Sequence, residues 1–213
     1  MALSSVGWLF PGWLSRLPSG CGGIALTFDD GPDPRTTPLL LSALDRLAIS
    51  CTHFVTGSKC LRAGSLLAEA RSLGHAIENH GYEHSSLLFA TRSAQKDSIR
   101  RTDDEVRRHA GGGCRWFRPP FGGFNPWTAG ALRELSYRGV LWSAMPRDWS
   151  AHSEEELWQR LVRRLREGDI VVLHDGQETT PLVIRMLPRL ADEAALREWK
   201  FLPLPAPTHN RRV

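Results

Sequence analysis

The chain has 213 residues, 41% apolar and 23% charged, with a formal net charge of +4. That balance fits one globular domain with a full core and excludes a disordered, collagenous or membrane-embedded chain. Lysine occurs only at Lys59, Lys96 and Lys200, and the arginines alternate with acids, as in Arg100, Arg101, Asp103, Asp104, Glu105, Arg107 and Arg108; without a basic stripe and interleaved aromatics, nucleic acid is not an expected partner.

The stretch Met1 to Gly20 is apolar and rich in Trp, but Gly7, Pro11 and Gly12 interrupt it and no basic residues open it. It is a poor signal peptide, which makes cytoplasmic the default expectation and leaves extracytoplasmic action open. No run reaches about 18 apolar residues, so no transmembrane helix is expected. Leu3, Val6, Leu9, Phe10, Trp13, Leu14 and Leu17 suit one face of a broken amphipathic segment. The expected organisation is residues 1–20 packed on a single domain of residues 21–204, with a polar tail at 205–213. Docking of that segment on a membrane surface is the alternative. Cys21, Cys51, Cys60 and Cys114 lack a Cys-x-x-Cys pair and do not form a zinc knot by spacing. Cys51 and Cys114 fall in apolar runs and read as buried thiols, and spacing leaves a disulfide open.

In chain order, Ile24 to Phe28 reads as a buried strand. It runs into Asp29-Asp30-Gly31-Pro32. Adjacent residues leaving a strand point to opposite sides, so the two acids are expected to have different neighbours, one for a metal and one for a proton. A plain Asx turn is the competing reading. Thr36 to Leu47 reads as a helix, and Ile49 to Val55 as a strand stopped by Gly57. Gly64 to Leu73 is a second helix capped by Gly74. His75 to Glu78 is a short strand leading to His80 and His84, whose spacing lets two imidazoles converge on one ion from a helix face or a compact turn.

Arg92 to His109 is a charged surface helix. Cys114 to Phe117 is a strand that meets Arg118-Pro119-Pro120-Phe121. A helix over Trp127 to Leu135 and a strand over Tyr137 to Ser143 lead to Asp148 and Trp149. Ser153 opens a helix to Arg166 with a capping box. Asp169 to Leu173 is a strand that ends at His174. Thr180 to Leu196 is a helix expected to break or kink at Pro188, and Trp199 to Leu204 is a final strand. Six or seven strand–helix alternations indicate an α/β fold with parallel strands. No phosphate-binding glycine motif follows the first strand. Asp29, Asp30, His80, Arg118, Asp148 and His174 all follow strand candidates closely. In a (β/α) barrel that is the carboxyl-end rim, where active sites are built. His174 reads as an acid or base, Arg118 as the partner of a carboxylate, and Trp149 as a groove wall or a core residue.

Taken together, these motifs resemble the polysaccharide deacetylases of carbohydrate esterase family four, the NodB homology domain. The resemblance rests on Thr27-Phe28-Asp29-Asp30-Gly31-Pro32, then His80-Gly81-Tyr82-Glu83-His84, Arg118-Pro119-Pro120-Phe121-Gly122, Met145-Pro146-Arg147-Asp148-Trp149 and Val172-Leu173-His174-Asp175, in that order. Met145 stands where the family usually has Asp, Val172 where it usually has Leu, and Phe121 where Tyr is commoner. The resemblance implies a distorted (β/α)7 barrel.

It also implies a divalent metal ion, zinc before Co, Mn or Ni, held by Asp30, His80 and His84. Asp29 would be the general base, kept ionised and in place by Arg118. The backbone N–H of Phe121 would share the oxyanion with the metal, and His174, oriented by Asp148, would be the general acid. Trp149 and Val172 would line the acetyl and sugar pocket. The implied activity is removal of N-acetyl (or O-acetyl) groups from a carbohydrate such as chitooligosaccharide or a peptidoglycan aminosugar. The alternatives are the same chemistry on a small or lipid-linked acylated aminosugar or other amide, and a carbohydrate-binding pseudoenzyme.

Overall fold

A fully buried strand, β1 (Gly23–Asp29), lies at the centre of the structure, a computed structural model that describes residues 13–206. Its side chains alternate between two environments. Ile24, Leu26 and Phe28 pack with Leu40, Leu44, Leu157, Leu161, Val183 and Met186. Burial of each of these three contributes up to about 1.5–3 kcal/mol. Ala25 faces the other way, with Phe54, Trp116, Val140 and Ile170. Thr27 and Asp29 continue that inner row, so the strand's interior side grows more polar toward its carboxyl end.

Around β1 runs a parallel sheet of β2 (Thr52–Val55), β3 (Ala76–Asn79), β4 (Trp116–Phe117), β5 (Arg138–Gly139), β6 (Ile170–His174) and β7 (Lys200–Phe201). The order is β5-β4-β3-β2-β1-β6, with β7 paired to the start of β1. Ser143 N–H donates to Ile170 O at 3.0 Å and Val172 N–H to Ala144 O at 3.0 Å. The run after β5 is thereby tied to β6, and the sheet curls round into the distorted barrel. Seven α-helices among the described residues surround it: α1 (Thr37–Arg46), α2 (Gly57–Ala63), α3 (Ser65–Ser72), α4 (Arg92–Ala110), α5 (Thr128–Glu134), α6 (Glu154–Val162) and α7 (Thr180–Leu196). Caps read from the sequence are in place. Ser153 Oγ accepts from Glu156 N–H at 3.1 Å, and Glu156 Oε2 accepts from His152 N–H at 2.9 Å.

Three details differ from the sequence reading. Gly57 does not stop the chain but begins α2. A side chain there would meet Tyr82 and Thr102, and one at Gly64 would meet the His109 ring, so these glycines mark close packing rather than turns. Pro188 lies inside α7, which runs unbroken from Thr180 to Leu196. The buried face of Val183, Met186, Leu187, Leu190 and Ala194 outweighs the roughly 3 kcal/mol helix penalty of proline. Several strands are shorter than read, β4 and β5 having only two residues each.

Residues 1–12 and 207–213 lie outside the described residues, with most of the amino-terminal segment and the tail. Within the rest of that segment, Trp13 stacks on Phe124 at 4.5 Å, Leu14 bridges to Val140 and Leu17 is buried. The four cysteines are free thiols. No helix among the described residues is long and apolar enough to cross a membrane.

Candidate active site

The carboxyl ends of β1, β3, β4 and β6 converge on one cavity of about 480 Å³, lined by Asp29, Asp30, His80, His84, Phe121, Trp142, Met145, Trp149, Val172, His174 and Gln177. Asp29 ends β1 two residues after Thr27, so both point inward. Buried Arg118, just past β4, binds them together. Its Nη1 donates to Asp29 Oδ1 at 2.6 Å and to Thr27 Oγ1 at 2.7 Å, and its Nη2 donates to Leu141 O at 3.1 Å. Thr27 Oγ1 in turn donates to Val171 O at 2.7 Å. The guanidinium lies 4.1 Å from the centre of the Phe54 ring, a face that tolerates a desolvated cation. Burial pulls the Arg118 pKa down, against the neighbouring Asp29 charge.

Asp30 does not point away from Asp29, as simple alternation predicts. Its φ of +76° turns the backbone into the left-handed region, which Asp tolerates better than most residues, and brings the second carboxylate into the same cavity. The different-neighbour expectation holds in part: Arg118 pairs with Asp29, but His80 Nε2 lies near both acids, 3.8 Å from Asp29 Oδ2. Asp30 Oδ1 faces His84 Nε2 at 2.9 Å and His80 Nε2 at 3.5 Å, and Oδ2 accepts from Gln177 Nε2 at 2.9 Å. Burial alone would raise the Asp30 pKa, but the neighbouring His80 and His84 hold it well below the usual carboxylate range.

His80 and His84 lie on a compact turn, with Gly81 at φ +81° and His84 at φ +51°. His80 Nδ1 sits 2.7 Å from Arg118 O. A carbonyl only accepts, so Nδ1 carries the proton and Nε2 presents its lone pair to Asp30. Asp30, His80 and His84 offer ligand atoms within 4.8 Å of one another. Asp30 Oδ1 is buried with no hydrogen-bond partner. An orphaned carboxylate oxygen facing two imidazole nitrogens suits a cation, and one carboxylate plus two imidazoles is a set that divalent transition ions accept with positions left open.

On the opposite wall, Asp148 is buried on a 3₁₀ turn (Asp148–Ser150). It accepts from His174 Nδ1 at Oδ1 and from His174 N–H at Oδ2, both at 2.8 Å. The ring's Nε2 is left for the cavity. Burial opposes the imidazolium, but the Asp148 hydrogen bond and the charges of Asp148, Asp29 and Asp30 prevail and raise its pKa to about 9. Trp149, partly exposed, stands edge-on to the His174 ring at 5.0 Å and 90°, and is a rim wall rather than core. The Phe121 ring lies 4.6 Å from that of His84, and the Phe121 backbone has φ +59°. Val172 is buried in the cavity floor, and Met145 lines the edge with its side chain partly exposed.

Thr27, Trp142 and Gln177 belong to the site without having been read from the sequence. Thr27 had a signal, the two-residue alternation from Asp29. Asp175 is a further support: its backbone N–H donates to Asp29 O at 2.9 Å and its carboxylate accepts from the hydroxyls of Thr36 and Thr37.

A parallel barrel whose rim sets an Asp-His-His cluster beside an arginine-held aspartate and an aspartate-oriented histidine defines a metal-dependent hydrolase. Residues 17–140 match the family model described as polysaccharide deacetylase. The chain belongs to that family. It is 31% identical over 187 residues to a peptidoglycan-N-acetylglucosamine deacetylase of Bacillus cereus, covering 84% of each. It is 31% identical over 166 residues to a chitooligosaccharide deacetylase of Azorhizobium caulinodans, covering 78% of this chain and 79% of the relative. The fold matches that of a peptidoglycan N-acetylglucosamine deacetylase crystal structure with a TM-score of 0.90 at 23% identity, over 96% of this chain and 95% of the other. The protein is a hydrolase of carbon–nitrogen bonds other than peptide bonds.

Proposed function

We propose that the protein removes the N-acetyl group of an aminosugar within a chitooligosaccharide-like or peptidoglycan-like glycan. The observation that carries this reading is the convergence of Asp29, Asp30, His80, His84 and His174 on one cavity in a chain whose relatives are named as deacetylases of those glycans. Asp30, His80 and His84 hold a divalent ion, zinc before Co, Mn or Ni. When bound, such an ion polarises the acyl oxygen and makes water acidic enough to ionise near neutral pH.

The chain's own residues supply the rest. Asp29, fixed by Arg118, takes the proton of the water whose oxygen attacks the acetyl carbon. The Phe121 N–H donates to the developing oxyanion. His174, held by Asp148, delivers a proton from Nε2 to the nitrogen as the carbon–nitrogen bond breaks, giving acetate and a free amine. Val172, Trp142 and Trp149 enclose the acetyl methyl group and the sugar edge. A pseudoenzyme is not favoured, because none of the reacting side chains is missing. Nor does a particular feature of the cavity favour a lipid-linked or single-sugar substrate.

The test is acetate release from chitooligosaccharides and peptidoglycan fragments, with and without chelator. Wild type is active and chelator-sensitive in this reading, while Asp29→Asn and His174→Ala are strongly impaired. Activity indifferent to chelator and to Asp29→Asn would sink it.

A further inference from the structure

A second cluster of ligand-type side chains lies outside the rim cavity, on the outer, helix-covered side of the sheet. Cys51 precedes β2, His53 is on β2 and His75 precedes β3. Their side chains are only 3%, 4% and 4% exposed. Ala76 N–H donates to Cys51 O at 3.0 Å, so the parallel ladder sets Cys51 beside His75, and alternation places His53 on the same face as Cys51. His53 also lies against the Phe28 ring, at 5.7 Å. We propose that Cys51, His53 and His75 form a second, closed metal centre that takes a soft monovalent ion, Cu(I), through one thiolate and two imidazoles.

The donor atoms already stand at coordination spacing. Cys51 Sγ is 3.3 Å from His53 Nε2 and 3.5 Å from His75 Nδ1, and all three ligand atoms lie within 4.8 Å of one another. An ion with metal–sulfur near 2.3 Å and metal–nitrogen near 2.0 Å needs its donors about 3.5–3.7 Å apart. The protonation states suit it as well. Cys51 N–H donates to His75 Nδ1 at 3.3 Å, so Nδ1 is the unprotonated nitrogen, whose lone pair exchanges this long hydrogen bond for the ion on binding, and Nε2 bears the proton, buried and without a hydrogen-bond partner. The single thiol proton can serve only one of the two imidazoles.

Charge selects the ion. As metal donors the two imidazoles are neutral and the thiol gives up its proton. Cu(I) displaces the thiol proton to solvent as the copper–sulfur bond forms, and the centre stays neutral. A divalent ion in its place leaves one positive charge on a buried ligand set of one thiolate and two imidazoles, which burial disfavours. Thiolate with imidazole in three-fold coordination is a soft set suited to Cu(I). The rim cluster, with a carboxylate instead of a thiolate, prefers a harder divalent ion. A surface cavity of about 500 Å³ lined by His75, Gly74, Arg71 and Glu78 brings solvent to the edge of the cluster.

Anaerobic titration with Cu(I), delivered as its acetonitrile complex, tests this in the wild type and in an Asp30→Asn, His84→Ala double variant that disables the rim. The double variant should retain one Cu(I) per chain and release one proton per ion. Its copper X-ray absorption should fit one sulfur and two nitrogens. Cys51→Ser and, independently, His53→Phe should lose that ion and the thiolate-to-copper ultraviolet band, while Cys21→Ser keeps both. An oxygen- and nitrogen-only shell, retention of the ion by Cys51→Ser, or no copper in the double variant would overturn the proposal. The absorption measurement on unmutated Cys51 decides even where a core variant folds poorly. None of these readouts depends on deacetylase activity.

Discussion

Asp148 takes two hydrogen bonds from His174, one from the ring and one from the backbone N–H, each 2.8 Å long. The pair fixes both the tautomer and the angle of the imidazole. In Asp148→Asn the ring loses its anionic partner, and kcat should fall by about 10²–10⁴-fold with little change in KM.

The pH profile follows the same pair. In the proposed mechanism the imidazolium of His174 is the donating form, so the step it serves is complete below its pKa and is lost as pH rises through it. Burial opposes that charge, while Asp148, Asp29 and Asp30 raise the value to about 9; a bound divalent ion pulls the alkaline limb lower. Asp148→Asn should move that limb to lower pH, and kcat measured against pH in both proteins checks it. For stability the sign is the same. A histidine whose folded pKa lies above its unfolded value of about 6.5 contributes fully below that pH, and the contribution is lost as pH rises through about 9.

Arg118 is the least replaceable residue of the inner wall. It is fully buried and satisfies Asp29, Thr27 and Leu141 O at once. Arg118→Met strands the Asp29 carboxylate and should cost about 3–5 kcal/mol in urea unfolding, together with activity. Arg118→Lys should rescue little, because a point charge cannot span the three partners. Asp29→Asn leaves the Arg118 charge buried without its anionic partner, so it should cost stability on the same scale as well as activity.

Gln177 donates to the Asp30 oxygen that faces away from the histidines. Gln177→Leu frees that carboxylate to rotate. Metal affinity should fall about 10–100-fold, read by competition with a chromophoric chelator, and added metal should restore kcat. Loss of kcat with affinity intact would exclude this positioning role.

Val172 lines the cavity where the proposed mechanism seats the acetyl group. Val172→Leu adds a methylene there and should shift preference from propionyl toward acetyl substrates by about 10–200-fold in kcat/KM. Competing acetylated and propionylated chitooligosaccharides in one assay measures the ratio directly.

Much of the site was legible because its residues follow apolar strand runs. Asp29, His80, Arg118 and His174 can be placed on one rim from strand ends alone. The convergence of Asp29 and Asp30 was not legible, since it depends on one backbone dihedral that reverses the alternation. Gln177 and Trp142 carry no pattern of their own, because their roles arise only when the barrel closes and distant loops meet. The helix beginning at Gly57 was hidden for a related reason: glycine reads as a breaker until Tyr82 and Thr102 are seen against it. The two-residue strands β4 and β5 were overextended because hydrophobic runs continue past the point where a distorted barrel stops pairing.

The left-handed backbone at Asp30 also constrains how this chain can change over generations. Asn and Gly can inherit the φ of +76° cheaply, whereas a β-branched residue there pays a steric penalty before any ligand is counted. A single codon thus sets both the bend and the carboxylate. An inactive descendant that keeps the fold is expected to carry Asn or Gly there, and one carrying Val or Ile must first have rebuilt the loop.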